Sequence, residues 1–121
     1  MKNPDDLIYL RHILDAIDKI ERYVSAVDLV RFKGDSLIQD GVIRQIQIIG
    51  EATRRLSVQL RDNYPEIPWR DIIGMRNKLV HDYFGVDLYA VFSTATENIP
   101  NLKPEIRRVV DERSRAITKD D

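Results

Sequence analysis

Apolar residues spaced three and four apart constrain this chain more than any other feature. Leu7, Leu10, Ile13, Leu14, Ile17, Ile20 and Val24 keep that spacing through the first two dozen positions, which lays them along one face of a helix. Asn3 is placed to cap that helix, Pro4 suits its first position, and Asp5 and Asp6 sit where the helix dipole favours negative charge. The helix is expected to run to about residue 24. No stretch alternates polar and apolar residues as a half-buried strand would, so the sequence predicts an all-α bundle of about five helices.

A short helical turn through Val27 to Phe32 leads to Gly34, after which Asp35 or Ser36 can cap a second long helix ending near Tyr64 and Pro65. Val42, Ile46, Ile49, Thr53, Leu56 and Leu60 form one apolar face of it. Ile38, Ile48 and Val58 mark another, which also carries Arg44, Glu51 and Arg55. A helix that is apolar on two sides needs two partners, which predicts contact with a second subunit and a two-fold homodimer. Pro65 and Pro68 break this helix. Trp69 begins the next, expected to reach about Tyr83 with Ile72, Ile73, Leu79 and Val80 buried, and Gly85 stops it. Asp87 caps a helix through Leu88, Val91 and Phe92, and the last helix is expected to begin near Pro104. There is no internal repeat. Residues 1–117 read as one helical domain, and residues 118–121 as a short charged tail.

At 121 residues the chain is long enough for one real core and too short for two. It has no cysteine, which leaves neither a disulfide framework nor a thiolate metal site. No apolar run approaches a membrane span and the N-terminus lacks a signal-peptide pattern, so the expected location is cytoplasmic, with no membrane association. The 19 basic side chains are balanced by 20 acidic ones, for a net charge of −1. Nothing global attracts nucleic acid, and any RNA site must be a local basic patch. Arg54, Arg55, Arg61, Arg70, Arg76, Lys78, Arg107 and Arg108 can build one if their helices meet; otherwise they are solvated face charges.

The chemistry concentrates in Arg76, Asn77, His81 and Tyr83. Arg76 falls between Ile72/Ile73 and Leu79/Val80, in the apolar stripe of its own expected helix. A cation there needs an anion, for which Glu51 is the candidate. That pair is either a structural bridge or a means of aiming the guanidinium at a phosphate. Asn77 and His81, four apart, share a face on a helix, so the amide can orient the imidazole or bind an oxygen of the substrate. Arg76 and His81 lie about 140° apart on an ideal helix, which argues for a cleft between two copies over a site on one helix. Cleavage of RNA by its own 2′-hydroxyl needs a base, an acid and cations around the phosphorane. One chain offers one credible histidine, and a dimer offers two copies of His81 and of Arg76. Alternatively a single His81, with Asn77 and a water, can manage slower chemistry. His12 lies off the apolar stripe and reads as a solvated or capping residue. No metal and no cofactor are expected, because His81 lacks carboxylates or Cys at ligand spacing and Asp82 is adjacent to it, not a turn away. On residues alone, Tyr83 is as well explained as an aromatic closing the helix end over the core.

Arg76, His81 and Tyr83 together resemble the R-x4-H-x-Y signature of the HEPN superfamily and of its HepT-like toxin branch. The likeness extends to Gln39-Asp40, Ile48-Ile49-Gly50-Glu51-Ala52, Tyr64-Pro65-Glu66-Ile67-Pro68-Trp69, Gly74-Met75-Arg76-Asn77 and Tyr83-Phe84-Gly85-Val86-Asp87. The resemblance implies a homodimer of HEPN bundles acting as the toxin component of a toxin-antitoxin module. It would be a metal-independent endoribonuclease whose R-x4-H motif at the dimer cleft cuts tRNA or mRNA. Arg76, His81 and Asn77 are then catalytic, with Glu51 and Asp82 in support. The implied partner is a cognate MntA-like nucleotidyltransferase antitoxin that neutralises the toxin by AMPylation of Tyr83. The alternative is a non-catalytic nucleotide-binding or scaffold subunit of a minimal nucleotidyltransferase, in which Arg76 and Asn77 hold a phosphate and His81 only packs.

Overall fold

The computed structural model describes residues 4–81 and 85–120, with the side chains of residues 4, 76, 80, 81 and 117–120 outside the description. In chain order the helices are α1 (Pro4–Val24), α2 (Leu29–Gly34), α3 (Ser36–Arg54), α4 (Val58–Asn63), α5 (Trp69–Ile73) and α6 (Met75–Leu79). Two short strands follow, β1 (Val80–His81) and β2 (Gly85–Val86), then α7 (Leu88–Ser93), a π-helical turn (Thr94–Asn98) and α8 (Ile99–Asp120). The all-α expectation holds, with the bundle divided into three long helices and several short ones.

The long helices make the frame. α1 packs against both α3 and α8. Leu10, Ile13, Ile17 and Ile20 of its stripe are wholly buried, as are Ile106 and Val109 on α8. Gly41 lets α1 approach closely, since a Cβ there would stand 3.2 Å from the Tyr23 ring. Lys103 on α8 reaches back to Asp18 at 2.9 Å and Glu21 at 3.1 Å on α1; these hydrogen bonds raise the lysine's pKa, Asp18 contributing most. α2 is capped by Asp28, which accepts from the Arg31 N–H, and α3 by Asp35, which accepts from Ile38. Phe32 of α2 docks on Phe92 of α7 with ring centroids 5.2 Å apart.

The predicted second helix is two helices. Every residue assigned to its core face, Val42, Ile46, Ile49, Thr53, Leu56 and Leu60, is buried, but the helix ends at Arg54 and restarts at Val58. Two side-chain hydrogen bonds flank the break. The Thr53 hydroxyl donates to the Ile49 carbonyl at 2.7 Å, and Ser57 caps α4 by accepting from the Leu60 N–H at 3.1 Å. The Ser57 N–H and hydroxyl both donate to buried Asp6, at 2.7 and 2.5 Å. Asp6 therefore ties the first turn of α1 to this corner. On the second face Ile38 and Ile48 are half-buried and Val58 is exposed.

The last helix also begins earlier than Pro104. Thr96 donates its hydroxyl to the Phe92 carbonyl and Ser93 donates to Glu97, and the Ile99 N–H reaches back five residues to Thr94. α7 thus passes through a π turn directly into α8, and Pro104 lies inside that helix. Among the described residues no helix is long and apolar enough to cross a membrane.

Candidate functional site

The segment carrying the chemistry hangs on the frame through a close approach. A Cβ on Gly50 of α3 would stand 3.3 Å from the Ile73 carbonyl oxygen and 3.6 Å from that of Ile72, so a bare backbone at Gly50 lets the end of α5 lie against α3. Trp69 fixes the start of α5: its Nε1–H donates to the Arg61 and Tyr64 carbonyls at 3.1 and 3.0 Å. Ile72 and Leu79 are the buried anchors of α5 and α6.

The single helix expected from Trp69 to about Tyr83 is not formed. The Gly74 N–H closes α5 onto the Arg70 carbonyl at 3.0 Å, and the Asn77 N–H bonds to Gly74 at 3.0 Å to begin α6. Helical backbone ends at Leu79, whose carbonyl accepts from the Asp87 N–H at 3.0 Å. Val80 pairs with Val86 and His81 with Gly85 in an antiparallel ladder. Gly85 sits at φ 87, in the left-handed region that glycine enters without strain. This turn chemistry was the available sequence signal for a hairpin.

The consequence for the predicted site is geometric. Arg76 and Asn77 lie on α6, and His81 lies beyond it on β1. The shared helical face inferred for Asn77 and His81, and the ~140° between Arg76 and His81, therefore do not apply. Asn77 is exposed. Asp82 and Tyr83 lie outside the described residues. Glu51, the anticipated partner of Arg76, is exposed and stands 3.6 Å from Arg54.

Among the described residues, Arg108, Lys78 and the pair Arg61 and Arg70 fall in separate settings. Arg108 is occupied by Glu66 at 2.7 Å, Glu105 at 3.1 Å and Glu112 at 3.8 Å and lies over the Tyr64 ring, so it braces α8 against the loop before α5. Lys78 is 4.0 Å from Asp71. Beside α6, Met75, Lys78 and Leu79 border a cavity of about 410 Å³ closed by Ile99 and Leu102 of α8. Arg61 and Arg70 border another, with Trp69. The arrangement that the sequence reading set aside lies between α1 and α3, where Tyr9, His12, Arg44 and Arg55 line a groove with Glu51. Its signal was present in the spacing of Arg44, Ile48, Glu51 and Arg55 on one helical face.

The model of the family described as Ribonuclease HepT-like matches residues 13–109, which include the whole of Arg76 to Tyr83. A Methanocaldococcus jannaschii protein named "Gamma-glutamylcyclotransferase and putative RNase" is 42% identical over 89% of this chain, which spans only 49% of that relative. A shorter "Putative RNase" of the same organism is 36% identical over 91% of the chain and 95% of its own length. The "Probable ribonuclease HepT" of Thermococcus cleftensis is 40% identical over 84% of the chain and 92% of its own length. No solved structure matches. The helical bundle and the match across most of its length place this chain in the HepT-like ribonuclease family of the HEPN superfamily.

Proposed function

We propose that this chain is the toxin of a toxin-antitoxin module, a metal-independent endoribonuclease that acts as a homodimer and uses Arg76, Asn77 and His81 on RNA. The observation that carries the reading is the ribonuclease family match running through R-x4-H-x-Y. That Arg76 lies on α6 and His81 on β1 suits it, because groups at the ends of short segments can converge with those of a second copy at a two-fold axis.

The chemistry balances without an added reagent. One His81 takes the proton of a ribose 2′-hydroxyl, whose oxygen forms a bond to the neighbouring phosphorus. The bond from phosphorus to the 5′ oxygen breaks, and the second copy of His81 protonates the departing oxygen. Arg76 from each chain holds the non-bridging oxygens as charge builds on them, which suits a guanidinium's paired donors. Asn77 orients an imidazole or a substrate oxygen, with Glu51 and Asp82 in support. The substrate is tRNA or mRNA. Silencing follows from the same electrostatics: a cognate MntA-like nucleotidyltransferase transfers AMP from ATP to Tyr83, whose oxygen loses its proton and bonds the α-phosphorus as pyrophosphate leaves, and the added phosphate fills the site and repels RNA.

The test is to incubate unmodified protein, its mass checked for added AMP, with tRNA and mRNA in EDTA beside His81→Ala and Arg76→Ala. Cleavage by the parent should fall at least 100-fold in His81→Ala, given the usual contribution of general acid–base groups of roughly 10²–10⁴. Helical content should not change. Equal cleavage by all three proteins sinks the assignment, and tight nucleotide binding with no cleavage by the parent transfers it to the scaffold reading.

A further inference from the structure

We propose that the groove between α1 and α3 is a subsite for single-stranded RNA, holding a phosphodiester on Arg44 and Arg55 and a base against Tyr9; this rests on the ribonuclease reading and extends it.

The groove has a volume of about 560 Å³, within the range of roughly 300–1,000 Å³ usual for small-ligand sites. Its charge is unlike that of the chain. Arg44 and Arg55 are both exposed, and among the described residues neither has a carboxylate within ion-pair distance. The carboxylate in the groove, Glu51, has Arg54 beside it at 3.6 Å. A protein of net charge −1 therefore presents two uncompensated guanidinium groups in one concavity, the local basic patch that an RNA-binding protein of this overall charge requires.

The groove also contains what a base needs. The Arg55 guanidinium lies 6.0 Å from the centroid of the half-buried Tyr9 ring, and the His12 ring stands edge-on to Tyr9 at 6.1 Å. Interleaved cations and aromatic rings are how sequence-tolerant single-strand sites hold nucleotides: the cations take the backbone, and bases stack on rings or guanidinium planes. Half-buried Ile48 adds apolar floor. Glu51, on the α3 side of the groove, follows Gly50, against which the end of α5 lies.

Ile38, Ile48 and Val58 make this face the expected contact with a second copy of the chain, but at the groove itself that copy is the poorer occupant. A two-fold contact over this face brings four arginines together, Arg44 and Arg55 from each chain, against one Glu51 per chain that is already beside Arg54. RNA supplies the missing negative charge at every nucleotide.

The experiment measures binding of a short fluorescent 2′-O-methyl oligoribonucleotide, which cannot be cut, by parent, Arg44→Ala/Arg55→Ala and Tyr9→Leu. Cleavage of unmodified RNA and sedimentation are followed in parallel. The double variant should bind at least tenfold more weakly. Its salt dependence should be shallower by about 0.7 in slope, the contribution of one single-strand phosphate neutralised. Tyr9→Leu should weaken binding about fivefold or more through lost stacking. If the parent cuts RNA and the groove variants bind with parental affinity and salt slope, the subsite is overturned and the ribonuclease reading stands. If the variants lose binding but the parent never cuts, the subsite stands and the ribonuclease reading falls. If the double variant becomes monomeric where the parent is a dimer, the groove is a contact between copies and the subsite is overturned.

Discussion

The frame of α1, α3 and α8 and the arm of α5, α6 and β1 are built on opposite principles. In the frame, long helices bury a continuous stripe: Leu10, Ile13, Ile17, Ile46, Ile49 and Ile106 show 1% exposure or less. In the arm, two five-residue helices and a two-residue strand rest on Ile72 and Leu79, with Asn77 and Lys78 exposed between them. Isolated helices of that length do not hold themselves. The arm takes its shape from the close approach at Gly50, the Trp69 hydrogen bonds and the bond from Asp87 to Leu79. Stability thus resides in the frame, while Arg76, Asn77 and His81, the residues proposed for catalysis, lie in the arm.

That division predicts its own largest effect. Ile17→Ala, at a fully buried frame position, should cost about 2–5 kcal/mol of stability, measured by urea denaturation. Asn77→Ala, at an exposed arm position, should stay within about 0.5 kcal/mol of the parent. If Asn77→Ala unfolds the protein as readily as Ile17→Ala, the arm is integral to the core and the distinction collapses.

The next effect concerns the corner where the two predicted halves of one helix part. Asp6 is buried with both carboxylate oxygens used by Ser57. Asp6→Ala strands the Ser57 N–H and hydroxyl, and should cost about 1–3 kcal/mol by the usual penalty for a buried donor left without a partner. Ser57→Ala, which keeps the backbone N–H bond, should cost less. If Ser57→Ala is the more damaging change, the corner is held by the α4 cap and Asp6 is secondary.

These regions also differ in how far the sequence revealed them. The frame was legible because its burial repeats every three to four residues over many turns; the faces read for α1 and α3 are the faces the structure buries. The caps at Asp35, read together with Ser36 as the alternative, and at Asp87 follow a side-chain chemistry that is local. The breaks were not legible, because each depends on a distant or competing partner. Ser57 restarts a helix where Asp6, 51 residues earlier, accepts its hydrogens. Pro104 imitates a helix start only because the π turn that feeds α8 from α7 has no apolar period to announce it. In the arm, Ile72, Ile73, Leu79 and Val80 carry a helical period, yet the backbone is interrupted at Gly74 and leaves the helix after Leu79. The chemical residue types were readable there, but their relative placement was not, since a five-residue separation counted on one helix becomes a separation across a helix and a strand.

The smallest effect tests a brace between frame and arm. Arg108 on α8 donates to Glu66 at 2.7 Å, in the loop that precedes Trp69, and this hydrogen bond holds the Glu66 carboxyl below its ordinary pKa of 4.5. A carboxyl whose pKa is depressed on folding contributes stability that is present above its unfolded pKa and lost as pH falls through its folded value. Arg108→Ala should therefore lower the urea midpoint slightly at neutral pH, the modest effect expected of an exposed pair, and the gap to the parent should narrow on titration into acid below the ordinary carboxylate range. The same guanidinium lies 5.4 Å from the centroid of the Tyr64 ring, a contact that does not depend on Glu66 ionising. A gap that stays constant through the acid titration would assign the brace to the guanidinium's packing over Tyr64 and remove Glu66 from the account of how the frame holds the arm.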